Sequence, residues 1–340
     1  MNLNFNFDII VSLIGIIFYI YVNKNRFIIA TKLKLVDKPN KTNITKINTP
    51  LVAIFPFFFL FILIHIYSFY FLDGNNDFFL IFFISIISFI LGFIDDRKNL
   101  SYRIKFLTFG FAILICLFFS ENLILSKIYF ETFNKIYYLE KITSICLTLL
   151  CLLLLINAIN LSDGINGLCS GIILIWLIYI QFKLGSYIDL LPLIFILIFT
   201  TYSIYRNFYF LGNSGSHFLS TFIGISVIFN YNTNINYPIP VATSVEEIFI
   251  LLMIPGFDML RLFIVRILNK KNPFTSDLDH LHHWLIKKFS LSISLFIYFI
   301  SVTIPLFLYN FFNIPALLII LISVTFYIIL LIFLKKSTQH

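Results

Sequence analysis

Charge is what this chain has least of. Only 12% of its 340 residues are Asp, Glu, Lys or Arg, whereas 60% are hydrophobic and 44 are Phe. A soluble domain carries about 25% charged and 45–50% apolar residues, so a soluble globular chain is excluded. Alternation of apolar and polar residues is also missing, and with it a β-barrel, whose strands need that period of two. Cysteine is limited to Cys116, Cys146, Cys151 and Cys169, with no C-x-x-C pair. These read as small buried hydrophobes, not as a disulfide framework. No basic stretch precedes the first apolar run, and Asp8 stands there instead, so a cleavable leader is not expected. No internal repeat or low-complexity linker interrupts the chain, which reads as one domain over 1–340.

What is present is a series of continuous apolar runs. A membrane span needs about 20 such residues. Eleven runs are candidates: 5–23, 51–72, 78–94, 104–120, 142–160, 168–183, 188–205, 217–231, 247–266, 290–309 and 315–334. The expected fold class is all-α, a polytopic integral membrane helical bundle of about 11 transmembrane helices. The connections alternate in charge. One set, with its adjoining helix ends, holds 20 of the 24 Lys and Arg residues, among them Lys34, Lys105, Arg206 and Lys288. The other set holds Lys127, Lys135, Lys141 and Lys183. Basic residues accumulate in cytoplasmic loops, so the N-terminus is expected outside and the C-terminus inside. The net charge of +8 then serves orientation and implies no nucleic acid. Five polar clusters, 37–40, 95–96, 157–167, 206–216 and 258–283, all fall on the cytoplasmic side and suggest one composite site.

The stretch Leu91-Gly-Phe-Ile-Asp-Asp-Arg97 closes an almost uncharged run with two adjacent carboxylates. An ionised Asp at mid-bilayer costs about 2.5–3.5 kcal/mol, so Asp95 and Asp96 belong at a membrane surface. Neighbouring helical residues point about 100° apart, so both acids meet one point only if the helix ends there. Such a pair could hold a divalent cation against phosphates, or be a solvated helix end. Asn157, Asn160 and Asp163 are spaced three apart and share one helical stripe. They suit either hydrogen bonds between membrane helices or a ligand. Gly212-Asn-Ser-Gly-Ser216 reads as a glycine-rich loop before the span at 217, either a phosphate cradle or a turn with a Ser cap. In Pro273-Phe-Thr-Ser-Asp-Leu-Asp-His-Leu-His-His283, three of six histidines fall within four positions. The H-E-x-x-H order of a zinc site is absent. Phosphate or uridine binding competes there with a plain basic loop. His65 reads as a hydrogen-bonded buried histidine rather than a proton carrier, and Glu246 and Glu247 as charges favoured by a helix N-terminus.

Taken in order, these pieces resemble the MraY/WecA-like family of polyprenyl-phosphate N-acetylhexosamine-1-phosphate transferases, glycosyltransferase family 4. The matching residues are Val36-Asp-Lys-Pro-Asn40, Gly92-Phe-Ile-Asp-Asp96 with Leu100, Ser101 and Lys105, and Asn157 to Leu168. They continue with Phe210 to Ser216, Pro255 and Asp258 with Arg266, and Pro273 to His283, a family-like core over 37–283. The His-Leu-His-His form is similar to the UDP-GlcNAc-using, WecA/TagO-like branch. Departures from the family pattern stand at Asn213, Thr45, Leu51-Val52, His217 and Ser220. Asn213 replaces an Asp that the family uses as a magnesium ligand.

The resemblance implies transfer of HexNAc-1-phosphate, by this branch GlcNAc-1-phosphate, from a UDP-sugar to undecaprenyl or other polyprenyl phosphate. The products are polyprenyl-diphospho-HexNAc and UMP, in a first membrane step of a cell-envelope glycan. It implies Asp95, Asp96, Asp163 and Asn160 as catalytic, and Asp95, Asp96 and Asn213 as holders of Mg2+, with Mn2+ as the alternative. Asp37, Lys105, Asn157, Asp258, Arg266, His280, His282 and His283 are implied for substrate. The partners implied are UDP-HexNAc, polyprenyl phosphate and membrane lipid, with a homodimer open. The implied place is the bacterial cytoplasmic membrane, multi-pass, with the active site on the cytoplasmic face. Two rivals differ in class: a transporter or lipid flippase, which places its ionisable groups near mid-bilayer, and a catalytically silent relative, suggested by Asn213.

Overall fold

The computed structural model describes residues 2–37, 48–71, 76–184, 190–206, 209–235, 243–272, 278–312 and 314–336. Residues 38–47, with Lys38-Pro-Asn40 and Thr45, and residues 273–277 lie outside this set. Among the described residues each of the eleven apolar runs carries a helix, as lipid requires: a backbone without water to bond must close its hydrogen bonds within the segment. Among the described residues, seven helices are long and apolar enough to cross a membrane, and three shorter apolar helices accompany them. The chain divides into two compact units, 1–125 with 142–232, and 126–141 with 233–340. Each is described by itself.

The first unit holds α1 (Asn2–Leu33), strands β1 (Val36–Asp37) and β2 (Thr49–Pro50), α2 (Phe55–Phe71), α3 (Asn76–Lys98) and α4 (Tyr102–Phe119). It continues with α5 (Lys141–Ser162), α6 (Leu168–Tyr179), a π-helical turn (Ile180–Leu184), α7 (Leu191–Tyr205) and α8 (Gly212–Asn234). Helices α1, α2 and α7 pack on one another, as do α3 with α4 and α6 with α7. Phe61 of α2 meets Phe218 and Phe222 of α8 edge-on, each with ring centroids 5.0 Å apart. This geometry suits the ring quadrupoles and seats α8 in the core. Helices α1 and α3 are followed by left-handed residues, Lys34 (φ 58°) and Asn99 (φ 49°). His65 is buried, its Nδ1 donating to the Phe61 carbonyl at 2.9 Å. Cys116 and Cys169 are buried as expected, but Cys146 and Cys151 lie on the exposed face of α5.

The second unit adds a β-hairpin that the all-α expectation did not contain. Strands β3 (Lys127–Phe130) and β4 (Lys135–Tyr138) pair antiparallel, Phe130 opposite Lys135. Helices α9 (Val245–Leu268), α11 (Leu291–Phe312) and α12 (Ala316–Lys336) pack together, with the short α10 (Leu281–Lys288) against α11 and α12. Ser244 caps α9 by accepting the Glu247 N–H at 3.1 Å. Glu246 does more than neutralise a helix end: its carboxylate accepts the Glu131 and Thr132 N–H groups, both at 3.1 Å, and ties the hairpin turn to α9.

Candidate active site

In the first unit the acid pair lies in the last turns of α3, with Asp96 against the start of α8. Helix α3 does not end before Asp95 but runs on to Lys98. Adjacent helical side chains diverge, and the two acids accordingly take different partners. Asp96 accepts the Asn213 N–H at 2.7 Å and the Ser214 N–H at 2.8 Å, capping the first turn of α8. The expected glycine-rich loop is therefore that helical turn itself. Gly212 holds φ at 71°, and a Cβ there would lie 2.7 Å from Asp96 Oδ2. Gly92 serves the same approach, since a Cβ on it would run into the Asn213 and Ser214 backbone. The segment just before α8 is anchored as well: Phe210 N–H donates to the Pro50 carbonyl at 2.9 Å, and Ala53 N–H to the Phe210 carbonyl at 3.0 Å.

Asp95, almost fully buried, turns to α4. Its Oδ2 lies 2.6 Å from Lys105 Nζ, and its Oδ1 accepts the Leu100 N–H at 2.8 Å. His217 Nε2 lies 3.9 Å from the same Oδ2. Asn160 Oδ1 accepts the Ser216 hydroxyl at 2.9 Å, which joins α5 to α8. Asp163 follows α5 in a half-buried turn. Burial first, and the Asp96 charge second, push its carboxyl up to about 7. The structure thus brings together Asp95, Asp96, Lys105, Asn160, Asp163 and Asn213. Asn157 lies one turn before Asn160 on α5, and Asp37 lies in β1.

The donors fit a hard divalent cation. Such ions take carboxylate and carbonyl oxygens and keep waters, and Asp95, Asp96 and Asn213 carry oxygens of that kind. Each Asp96 oxygen spends one lone pair on an N–H and keeps another. Ser214, Ser216 and His217 escaped the sequence reading as interacting residues. Their motif was visible, but not that it was already helical.

In the second unit Asp258, on α9, is a buried hub. Its Oδ2 lies 2.9 Å from His280 Nδ1. Its Oδ1 accepts from Arg261 Nη2 at 2.9 Å, the Leu281 N–H at 3.0 Å and the Tyr327 hydroxyl at 3.0 Å. This orients His280 and starts α10, so His282 and His283 lie in a helical first turn rather than a loop. Burial, with His283 next, holds the His282 imidazole well below its ordinary value. Arg266 is buried in the last turn of α9. Atoms of Asp258, His280 and His282 lie within 4.8 Å of one another, close enough to share a metal. The Arg261 guanidinium on the same carboxylate opposes a second cation there. Arg261 was legible as an i+3 neighbour of Asp258. Tyr327, 69 residues away, carried no local signal.

Residues 78–230 match the family model described as Glycosyl transferase family 4. The chain is 28% identical over 218 residues to the undecaprenyl-phosphate alpha-N-acetylglucosaminyl 1-phosphate transferase of Thermotoga maritima, covering 64% of this chain and 63% of that protein. It is 30% identical over 209 residues to the probable undecaprenyl-phosphate N-acetylglucosaminyl 1-phosphate transferase of Bacillus subtilis, covering 58% and 55%. The chain thus spans less than two thirds of either relative's length. Asp258 and the histidines lie beyond the stretch matched by the family model, whereas the acid pair, the Asn160–Asp163 turn and the start of α8 all lie within it. Residues 78–230 are thus similar to glycosyl transferase family 4, and that matched stretch holds the acid pair, the Asn160–Asp163 turn and the start of α8.

Proposed function

We propose that the chain transfers a HexNAc-1-phosphate, GlcNAc-1-phosphate by its branch features, from a UDP-sugar to polyprenyl phosphate. A phosphate oxygen of the lipid attacks the β-phosphorus of the UDP-sugar. The bond from that phosphorus to the oxygen bridging to the α-phosphorus breaks, and UMP leaves with the electron pair. Two anions must meet, so catalysis is chiefly positioning and charge neutralisation.

The observation that carries this reading is the split of the acid pair. Asp96 is pinned by two α8 N–H groups, while Asp95 is held at 2.6 Å by Lys105, whose side chain is 28% exposed. This supports a scaffold and ligand role for one acid, and a partly exposed positive charge suited to a phosphate beside the other. A divalent cation at Asp95, Asp96 and Asn213 would supply charge neutralisation for the diphosphate. Asn160 and Asp163 position the lipid phosphate or nucleotide. A lipid phosphate near neutral pH is already anionic and needs no side chain to take its proton. His280, set by Asp258 through Nδ1, keeps Nε2 for a substrate contact. His282, His283 and Arg266 join it for diphosphate and uridine. The names of both relatives support this reaction class. We place the protein in the bacterial cytoplasmic membrane with this chemistry on the cytoplasmic face.

The test uses membranes containing the full chain, radiolabelled UDP-GlcNAc and undecaprenyl phosphate, followed by lipid extraction. Label in the lipid phase, with one UMP released for each labelled sugar phosphate transferred, is expected. No lipid label with any UDP-HexNAc would remove the enzyme reading and leave a transporter or a silent relative.

A further inference from the structure

His217 is the buried group that the reaction above does not use. It lies on α8, 3% exposed, and neither ring nitrogen has a hydrogen-bond partner among the described residues. The Phe109 ring of α4 packs beside it, the centroids 4.8 Å apart. Lys105 stands one turn before Phe109 and shares its face of α4. Asp95 lies against both Lys105 and His217, and its two oxygens are held unequally. Oδ1 accepts the Leu100 N–H at 2.8 Å, a donor fixed in the backbone. Oδ2 has no well-aligned hydrogen bond among the described residues, and the Lys105 ammonium, 2.6 Å away, is what neutralises it. His217 Nε2 stands 3.9 Å from that same oxygen. An N–H···O bond spans about 2.7–3.2 Å, so the gap is about 1 Å too wide.

We propose that His217 is a positioning residue for Asp95: when Lys105 turns from Oδ2 to a substrate phosphate, the His217 Nε2–H closes on that oxygen in its place. The inference rests on the transferase reading for the destination of Lys105 and deepens it. Lys105 alone of the three has room to leave, its side chain being 28% exposed against 2% for Asp95 and 4% for His217. Departure without a substitute would strand a charged oxygen in a buried site, where an unpaired group is costly. A neutral imidazole with its proton on Nε2 supplies a donor and no charge. It therefore yields to the ammonium while Lys105 is in place. With Oδ1 tethered to Leu100, a small rotation of the carboxylate or the imidazole closes the gap. The new bond leaves Oδ2 a further lone pair, so a cation on Asp95 is not displaced.

The first test needs no substrate. Thermal midpoints in detergent are compared for the full-length wild type, His217→Leu, Lys105→Met and the double variant. In the wild-type background His217→Leu should leave the midpoint unchanged or raise it, because it removes a buried polar ring that has no partner. In the Lys105→Met background the same change should lower it by about 2–4 °C, because His217 is then the donor that Oδ2 depends on. His217→Gln, which keeps an N–H near the Nε2 position, should restore most of that loss. An equal effect of His217→Leu in both backgrounds overturns the inference. So does failure of both Lys105→Met and Lys105→Gln to fold with His217 in place. The second test is the lipid-label assay. His217→Leu should raise the KM for undecaprenyl phosphate roughly tenfold, with a smaller change in kcat, since Lys105 is then kept on Asp95. His217→Gln should return the KM toward wild type, and an unchanged KM in an active His217→Leu protein overturns the inference too. Transfer without the background-dependent stability effect sinks this inference alone. The stability effect without any sugar-phosphate transfer sinks the proposed function alone.

Discussion

The carboxylate of Asp96 caps the helix that begins beside Asn213, accepting its N–H at 2.7 Å across 117 residues of chain. A second bond from Ser214 completes the cap. Asp96→Ala should therefore lower both turnover and thermal stability, the latter by about 0.5–2 kcal/mol, as for other lost caps. Asp96→Asn keeps an oxygen acceptor and should fold closer to wild type while losing turnover. Gly212→Ala should also destabilise, because its φ of 71° and the carboxylate 2.7 Å from a Cβ leave no room. Thermal midpoints in detergent check all three. Equal stability of Asp96→Ala and wild type would remove the cap argument.

Asp95→Asn and Asp163→Asn should each lower turnover at least about a hundredfold, as expected for groups that act on developing charge. The lipid-label assay measures this. Near-normal rates in both would misplace the site.

Asp163 also makes a statement about pH. Its carboxyl is raised from 3.8 to about 7, so the folded state holds the proton more tightly than the unfolded chain. The stability this lends is full below pH about 4 and is lost as pH rises through about 7. Asp163→Asn removes that dependence. Between pH 5 and pH 8 the wild type should lose more thermal stability than the variant. Parallel loss in both would show that Asp163 does not carry the effect.

Asn213→Asp adds the charge that a hard cation prefers. The Mg2+ concentration for half-maximal activity should fall by roughly tenfold, or about 1.4 kcal/mol. A Mg2+ titration of both forms decides it, and an unchanged or raised requirement would exclude Asn213 as a ligand position.

Asp258→Ala should unfold or loosen the second unit, since it strands Arg261, Tyr327 and His280 together. Breaking a buried pair in this way costs about 3–5 kcal/mol. Protease resistance in detergent is the measure. Full resistance with lost activity would make Asp258 purely a substrate group.

The apolar runs determined the helices, because lipid leaves a backbone no other partner, and among the described residues each of the eleven carries one. Gly92, Gly212, the acid pair and the histidine run were legible because small and charged residues are conspicuous against so apolar a background. What each does was not. Asp95 and Asp96 are neighbours in the chain, yet helical geometry sends one to Lys105 and the other to the N-terminus of α8. Whether Gly212–Ser216 is loop or helix depended on that cap, supplied from 117 residues away. Tyr327 reaches Asp258 only because α12 packs on α9. Local pattern determines where a polar group lies along a helix, because it reflects the solvent on each side. Only the packing of distant helices decides which partner that group meets, because hydrogen bonds and ion pairs act over a few ångströms between segments the sequence keeps apart.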